Sequence, residues 1–260
     1  MTLEIAVAAH KPYSMPQDAA YLPLQVGAAG KPPISAPQGG EPFARDDSGE
    51  NISAKNANWC ELTGLYWMWK NRSADASGLV HYRRLFRGRS GAMSGAEIEE
   101  ALSRADAILP RKRNYFIETS YSQYAHAHHA QDLDVAREIV EERHAAFLPA
   151  FDKAMRSASG HRFNMFIMKR AMFREYCEWL FDILFELERR LDISNYSAYD
   201  ARVFGFVGER LLDVWLGYKA GNGGIKTVEV PVMHLESQHW PSKIAAFLKR
   251  KLFARRAPAV

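Results

Sequence analysis

The stretch LEIAVAAHKPY, residues 3–13, combines a short apolar run with a polar end that contains a proline. Such a run, bounded by a turn signal, is typical of a buried strand followed by a loop. The same arrangement recurs at residues 77–84 (SGLVHYRR) and 105–113 (ADAILPRKR). Because helical stretches separate these strands, the sequence predicts an α/β fold with a largely parallel central sheet flanked by helices.

The remaining elements follow from the spacing of apolar residues and from composition. Ser53 is the predicted N-cap of the first helix, because its hydroxyl can accept a hydrogen bond from a free backbone N–H. Residues 28–50 are rich in Gly, Pro, Ala, Ser and Asp, which predicts a long surface loop. Further strands are predicted over residues 163–168 and 225–232, and helices over 53–70, 95–104, about 132–143, 171–190 and 200–218.

Composition excludes several classes of protein. About 47% of the 260 residues are hydrophobic and 25% are charged, as in ordinary globular domains rather than disordered chains. No run approaches the roughly 18–20 apolar residues that span a bilayer, and the N-terminus lacks secretory features. We therefore expect a cytoplasmic protein. Cys60 and Cys177 are too few for a disulfide scaffold and lie in apolar stretches, which predicts buried free thiols.

Basic charge is concentrated at the C-terminus. Residues 237–260 contain six Lys or Arg and no Asp or Glu; the rest of the chain has 28 basic and 30 acidic residues. This pattern argues against nucleic-acid binding and for a local contact with an anionic partner. Residues 243–256 form a predicted amphipathic helix that can lie on the anionic inner face of the cytoplasmic membrane. The alternative is a helix packed on the domain with its charges in water.

Polar clusters follow three of the predicted strands. Ligands of open α/β sheets bind beyond the carboxyl ends of the strands, and Arg presents a planar fork to phosphate oxygens. Converging cations at one sheet edge would therefore suit a phosphorylated ligand, whereas the plainer interpretation is a set of solvated strand ends. The clusters are His10, Lys11 and Tyr13; His81, Tyr82, Arg83 and Arg84; and Arg111, Lys112 and Arg113.

The start of the first predicted helix is a second candidate anion site. Free N–H groups and a partial positive charge at a helix N-terminus attract anions. Asp47, Asn51, Lys55 and Asn56 lie there, and ordinary helix capping is the alternative.

Six segments together resemble a bacterial glycosyltransferase-like family from capsule, exopolysaccharide and lipopolysaccharide gene clusters, long described as a domain of unknown function. The resemblance covers about residues 3–236, and its middle motifs are long and specific. The segments are HKPY (10–13), NISAKN (51–56), CELTGLYWMWKN (60–71), GLVHYRR (78–84), FNMFIM (163–168) and FGFVGERL (204–211).

The resemblance implies a function and a fold. It implies transfer of a sugar, such as galactofuranose, from a nucleotide donor, most simply UDP-linked, to a glycan or polyprenyl-diphosphate-linked acceptor. It also implies a GT-A-like fold, which we place in one domain, residues 1–240, followed by the basic tail, residues 241–260. The tail and the acceptor together predict a peripheral position on the cytoplasmic membrane.

The chemistry of such a transfer requires neutralisation of the diphosphate and a carboxylate base for an inverting reaction. A GT-A enzyme normally carries Asp-x-Asp after a central strand, but here residues 81–84 occupy that position. We therefore expect cations to replace the metal, which puts metal dependence in doubt. A non-catalytic nucleotide-sugar or glycan-binding protein of the assembly machinery is the alternative function.

One Asp-x-Asp is nevertheless present, at Asp132 and Asp134. It suits Mn²⁺ or Mg²⁺ by residue type, although both residues also suit a helix start. His126, His128 and His129 precede it and are candidates for contacts with the acceptor.

Glu209, in the GFVGER segment, is the first candidate for the base because small residues around it permit close approach of a substrate. Asp200 is the second candidate. The alternatives are a surface ion pair for Glu209 and helix capping for Asp200.

Overall fold

A computed structural model describes residues 1–235; the predicted tail helix at 243–256 lies outside the described residues. The strands are β1 (Leu3–Ala9), β2 (Tyr21–Gln25), β3 (Ala44–Arg45), β4 (Ala76–His81), β5 (Arg84–Phe86), β6 (Ala107–Pro110), β7 (Arg113–Asn114), β8 (Ser159–Gly160), β9 (Phe166–Lys169), β10 (Thr227–Val230) and β11 (Val232–His234). The α-helices are α1 (Asn56–Trp59), α2 (Leu62–Asn71), α3 (Gly95–Arg104), α4 (Ser120–Ala125), α5 (Gln131–Arg143), α6 (Leu148–Arg156), α7 (Arg170–Arg190) and α8 (Val203–Gly221).

Within residues 1–235, nine strands form the central sheet, with the main order β10-β6-β9-β4-β1-β2-β3. The pairs β1–β2, β1–β4, β2–β3 and β6–β10 are parallel, whereas β9 runs antiparallel to both of its neighbours. The carboxyl ends of β1, β2, β4, β6 and β10 consequently meet at one edge, together with the start of β9. The predicted mostly parallel sheet is confirmed.

The sheet separates two hydrophobic cores, as the two-residue repeat of a strand requires. In β1, Ala6 and Ala8 pack with α2, α7 and α8, whereas Ile5 and Val7 face the side that carries α3. Helix α7 fills the larger core and confirms the predicted helix over 171–190. Strand β1 and helix α3 also have the predicted bounds.

The prediction of one continuous helix from Ser53 to Lys70 is wrong. A 3₁₀ turn (Ser53–Lys55) leads into α1, and the chain then bends at Cys60, whose φ is +53°, before α2 begins. Ser53 is not the N-cap: its hydroxyl donates to Asp46 Oδ1 (2.5 Å) and accepts the N–H of Ala29 (3.0 Å). A buried carboxylate therefore replaces the expected capping contact.

Three further boundaries differ from the predictions. Phe163 and Asn164 have positive φ, so the strand predicted over 163–168 begins only at Phe166. The strand predicted over 225–232 becomes β10 and β11, which pair with different strands on either side of Pro231. The helix predicted from Asp200 begins as a 3₁₀ turn and becomes α8 at Val203.

The region 28–50 is mainly loop, as predicted, but it is not wholly at the surface. Phe43 and Asp46 are buried, and β3 extends the sheet by two residues. Strand β2 was not predicted, because Pro23 within it is an unfavourable signal for a sheet interior.

Both cysteines are free thiols, as predicted, with Cys177 fully buried and Cys60 partly buried. Burial raises the pKa of the Cys60 thiol to about 11. Across residues 1–235, no helix has the length and apolar character needed to cross a membrane.

Candidate functional site

Tyr82, directly after β4, joins the first two predicted clusters. The rings of His10 and Tyr13 meet the Tyr82 ring edge-on at centroid distances of 5.3 Å and 4.9 Å. The cationic groups of Lys11 and Arg83 lie 5.5 Å and 5.1 Å from the centre of the same ring. The two clusters converge because β1 and β4 pair in parallel.

The third cluster does not join them. Strand β9 separates β6 from β4, and Arg111, Lys112 and Arg113 are exposed beyond the end of β6. The three clusters therefore lie along the same edge of the sheet, but only the first two meet.

Arg84 is the central cation of the site. It is half-buried, and its guanidinium carbon lies 4.3 Å from the centre of the Phe163 ring. Its Nε is buried without a hydrogen-bond partner in the structure. Burial, with the neighbouring charge of Arg83, lowers the pKa of Arg84. Because buried polar groups are normally paired, an unpaired guanidinium Nε at a sheet edge points to an anionic ligand.

Two hydrogen bonds fix the Phe163 turn beneath Arg84. The backbone N–H of Phe163 donates to Glu209 Oε1 (3.1 Å), and its carbonyl accepts from His81 Nε2 (2.5 Å). The left-handed φ of +77°, rare for a bulky residue, is held by both contacts. His81 and Glu209, both predicted site residues, therefore meet at this turn.

Glu209 also belongs to an ion-pair network. Its Oε2 lies 3.1 Å from Arg162 Nε and 3.0 Å from Arg210 Nη1. Both arginines also donate to Gln123 Oε1, at 3.1 Å and 2.7 Å. Burial lowers the pKa of Arg210. For Arg162, burial is the largest influence and opposes the charged form, but the Glu209 carboxylate together with Tyr115 and Tyr199 raises the pKa overall.

Glu61 is a second carboxylate of the site, and the sequence reasoning missed it. Its Oε1 accepts a 2.6 Å hydrogen bond from Asn164 Nδ2, and Asn164 also donates to the carbonyl of Gly205 (3.1 Å). Its other oxygen accepts no hydrogen bond from residues 1–235. The charges of Glu61 and Glu209 both act on Arg84. The only sequence signal for Glu61 was its place in the CELT motif, directly before an apolar helix.

Two glycines of α8 bring that helix close to the bend around Cys60. A Cβ on Gly205 would lie 3.2 Å from Cys60 Sγ, and one on Gly208 would lie 2.9 Å from Leu62 Cδ1. The small residues around Glu209 thus permit close helix packing, which brings Glu209 into the same cluster as Glu61.

More positive charge surrounds His10. Burial lowers the pKa of His10, and the charges of Arg83, Lys11, Lys31 and Arg202 lower it further. These four cations come from different segments of the chain, so this edge of the sheet carries concentrated positive charge.

The predicted anion site at the first helix is made of residues that have partners within the protein. Asp47 forms an ion pair with Arg45 (2.6 Å), and Lys55 forms one with Glu188 (2.7 Å). Hydrogen bonding to Arg45 lowers the pKa of Asp47.

The two asparagines of this segment stabilise turns. Asn51 Oδ1 accepts the N–H of Ser53 (3.2 Å), and Asn56 Nδ2 donates to the carbonyl of Cys60 (2.7 Å). Asn56 also packs against Gly27, where a Cβ would lie 2.4 Å from its side chain. A role of these asparagines in donor binding stays a prediction.

Asp46, which the sequence reasoning did not assign to a site, organises this region. It is fully buried and accepts from the N–H groups of Gly27 (2.9 Å) and Ala28 (3.0 Å) and from the hydroxyls of Ser53 (2.5 Å) and Thr63 (2.7 Å). One carboxylate thereby joins the end of β2 to the start of α2.

His128 and Asp200 lie together at the start of α8. His128 Nδ1 lies 3.2 Å from Asp200 Oδ1, and the His128 ring stacks on Phe206 at 4.2 Å. Burial lowers the pKa of His128 despite the carboxylate. Hydrogen bonding from the Ser197 hydroxyl, with a smaller contribution from His128, lowers the pKa of Asp200.

The other two predicted acceptor histidines have separate contacts. His126 pairs with Glu118 (2.8 Å), whereas His129 stacks on Tyr196 at 4.0 Å. The three histidines therefore do not share one polar surface, and their role in acceptor binding stays a prediction.

The residues predicted for a metal site are also engaged. Asp132 is buried and accepts from the hydroxyls of Tyr124 (2.6 Å) and Tyr196 (2.7 Å), while Asp134 accepts from Tyr121 (2.9 Å). Burial raises the pKa of Asp132. Nowhere in residues 1–235 do three His, Cys, Asp or Glu side chains group so as to hold a metal ion. The Asp132 donor set does not fit a metal, since tyrosine hydroxyls occupy both oxygens.

Residues 4–220 match the family model described as a domain of unknown function, DUF4422. The chain belongs to this family. The match includes every residue of the cluster around Tyr82, Arg84, Glu61 and Glu209. No curated protein matches the sequence.

Among solved structures, the chain is similar to the apo structure of the bifunctional glycosyltransferase WbbM, with a TM-score of 0.81 and 28% sequence identity. The similarity covers 91% of this chain and 46% of WbbM, so this chain spans about half the length of that protein. This likeness confirms the expected GT-A-like α/β fold.

Proposed function

We propose that this protein is a glycosyltransferase that moves a sugar from a nucleotide-sugar donor to a glycan or lipid-linked acceptor. One observation carries the proposal: the half-buried Arg84, with an unsatisfied Nε, lies at the carboxyl edge of a GT-A-like sheet beside two carboxylates. The similarity to a bifunctional glycosyltransferase supports it. The resemblance of the motifs supports a UDP-linked hexose, with galactofuranose as one candidate, and a place in surface-polysaccharide synthesis.

Cations bind the donor diphosphate in this proposal. Arg84 contacts a phosphate oxygen, and Arg83, Lys11 and Arg202 supply the surrounding positive charge. Fixed cations stabilise the negative charge that develops on the leaving nucleotide diphosphate, which is a large source of rate enhancement in transferases. The rings of His10 and Tyr13 contact Tyr82, which lies beside these cations.

A carboxylate accepts the proton of the acceptor hydroxyl. The hydroxyl oxygen then bonds to the anomeric carbon, while the bond between that carbon and the diphosphate breaks. Glu209 stays our candidate for this base, and we propose Glu61 as a second candidate. Both Glu209 oxygens already have cationic or N–H partners, whereas one Glu61 oxygen accepts nothing from the described residues. Asp200 is a third carboxylate at the start of α8, next to His128.

The acceptor side of the proposal rests on the resemblance. A polyprenyl-diphosphate carrier would place the enzyme at the inner face of the cytoplasmic membrane, with residues 243–256 as the basic contact. Deletion of residues 241–260 should strongly reduce co-sedimentation with anionic vesicles and spare donor hydrolysis in solution. Equal vesicle binding by the shortened protein would contradict the role of the tail.

The purified protein should be incubated with a panel of nucleotide sugars, with and without a lipid-linked acceptor. We expect slow hydrolysis or transfer with one donor, and loss of both in Arg84→Gln. Donor binding without turnover on any donor would instead support the non-catalytic nucleotide-sugar-binding function, which the absence of Asp-x-Asp after β4 favours.

A further inference from the structure

The connection between β7 and α4 carries two exposed apolar side chains at its tip. Phe116 is 84% exposed and Ile117 is 78% exposed, the highest values among the large hydrophobic residues of the described chain. Two adjacent apolar side chains in water are unfavourable unless another surface covers them. Within the described residues, the fold does not cover this tip, so it needs a partner outside them.

The conformation of the loop holds this tip outward. Phe116 has a φ of +62°, uncommon for a bulky residue, and its N–H donates to Asn114 Oδ1 (2.6 Å). At the base of the loop, the N–H of Tyr115 donates to the carbonyl of Ala158 (2.7 Å), next to the β7–β8 pair. The Phe116 backbone is thus maintained in a strained state that presents the side chain to solvent, and such outliers are often functional.

Positive charge lies next to the apolar tip. Arg111, Lys112 and Arg113 are exposed, and their side chains form no ion pair with any residue in 1–235. Two carboxylates lie near this segment. Glu118 pairs with His126 (2.8 Å), and Glu229 lies 3.4 Å from His161 Nε2 and accepts the backbone N–H of Lys112 (3.4 Å). The loop therefore combines an apolar tip with a cationic base.

We propose that residues 111–117 form a membrane-docking loop that inserts Phe116 and Ile117 among the lipids of an anionic bilayer. Apolar side chains enter the boundary between headgroups and acyl chains, while basic residues contact lipid phosphates. The charge complementarity favours an anionic bilayer over a purely apolar partner. This surface is separate from residues 243–256, and it lies at the same sheet edge as the candidate site because it follows the carboxyl end of β6.

The test measures partition of the full chain onto vesicles of phosphatidylglycerol and phosphatidylcholine, compared with phosphatidylcholine alone. Phe116→Ser with Ile117→Ser should weaken partition about tenfold, since two apolar side chains no longer enter the bilayer. Phe116→Leu with Ile117→Leu is the matched control and should stay within about twofold of the native protein, because a bilayer needs apolar area rather than shape.

Charge is tested with a second pair of variants. Arg111→Ser with Lys112→Ser should weaken partition about tenfold on anionic vesicles and leave partition on neutral vesicles unchanged. Arg104→Ser with Arg174→Ser removes the same charge from exposed positions on α3 and α7 and should have a much smaller effect.

If the variant with Phe116→Ser and Ile117→Ser binds the vesicles as strongly as the native protein does, the proposal is overturned. It would also be overturned if the leucine pair were as defective as the serine pair, which would indicate a shape-specific protein pocket. A dimer of the native chain in sedimentation that the serine pair abolishes would assign the tip to a second copy instead. Donor hydrolysis without vesicles should be unchanged in all of these variants, so failure here is distinguishable from failure of the proposed glycosyltransferase activity.

Discussion

Two polar clusters, both built from the motifs of the sequence, differ in how their charges are satisfied. Around Asp46, each carboxylate oxygen accepts two donors from the end of β2, the 3₁₀ turn and α2. Around Arg84, the guanidinium Nε is buried without a partner, and a Glu61 oxygen accepts nothing from the described residues. We infer that the NISAKN segment mainly builds the fold, whereas the HYRR segment and the elements around it face a ligand.

The largest expected effect concerns the carboxylates of the Arg84 cluster. Glu209→Gln should lower turnover by about 10²–10⁴-fold while donor affinity is retained, because an amide cannot accept the proton of the acceptor hydroxyl. Glu61→Gln is the matched variant, measured by the same steady-state assay. A large loss for Glu61→Gln alone would transfer the base role to Glu61, and turnover within a few-fold of native for both would remove the pair from the mechanism.

The Asp46 cluster should respond in stability rather than in catalysis. Asp46→Ala should lower the free energy of unfolding by about 3 kcal/mol or more, since four donors would lose a buried charged acceptor. Urea unfolding followed by circular dichroism measures this. Asp47→Ala, which removes only the partly exposed pair with Arg45, should cost less than about 1 kcal/mol. Equal losses for the two variants would show that the Asp46 cluster does not organise the fold.

Arg84 should show the opposite behaviour. Arg84→Gln should weaken UDP binding by about 1.5–3 kcal/mol, the usual loss for a charged hydrogen bond, and leave the unfolding midpoint near native. Titration calorimetry and urea unfolding measure the two effects. Because cations take the place of a metal in the proposal, chelation with EDTA should change native activity little. Complete loss of activity on chelation would contradict this arrangement.

The smallest expected effect is a pH dependence of stability from His128. Burial lowers its pKa in the folded state, so the unfolded chain takes up a proton more readily as pH falls below about 6.5. Stability should consequently decrease between pH 7.5 and 5.5. His128→Gln should reduce that slope, whereas His126→Gln, at an exposed position, should not. Thermal melts at the two pH values test this, and identical slopes for the three proteins would refute it.

Local patterns were sufficient for the regular part of the fold. Strand β1, helix α3 and helix α7 were predicted with almost the observed bounds, because each buries a continuous face that is visible in its own residues. The bend at Cys60 was not predictable in this way. It depends on Gly205, which comes 145 positions later in the chain and allows α8 to pack against the bend.

The site was predictable only in part, for the same reason. His10 and Tyr82 converge because they follow β1 and β4, which are parallel neighbours. The sequence pattern predicts such a parallel sheet. The role of Glu61 depends on Asn164, which is 103 residues away in the chain and adopts a left-handed conformation. The Phe163 turn likewise depends on contacts with His81 and Glu209, and a single apolar run such as FNMFIM cannot show them.

The central claim is that Arg84 binds the diphosphate of the donor. A crystal structure of the protein with UDP and Mn²⁺ tests it most directly. The account predicts a phosphate oxygen within salt-bridge distance of the Arg84 guanidinium, beyond the carboxyl ends of β1 and β4. UDP bound with its diphosphate on a metal ion, and with neither Arg84 nor Arg83 within that distance, would contradict the account.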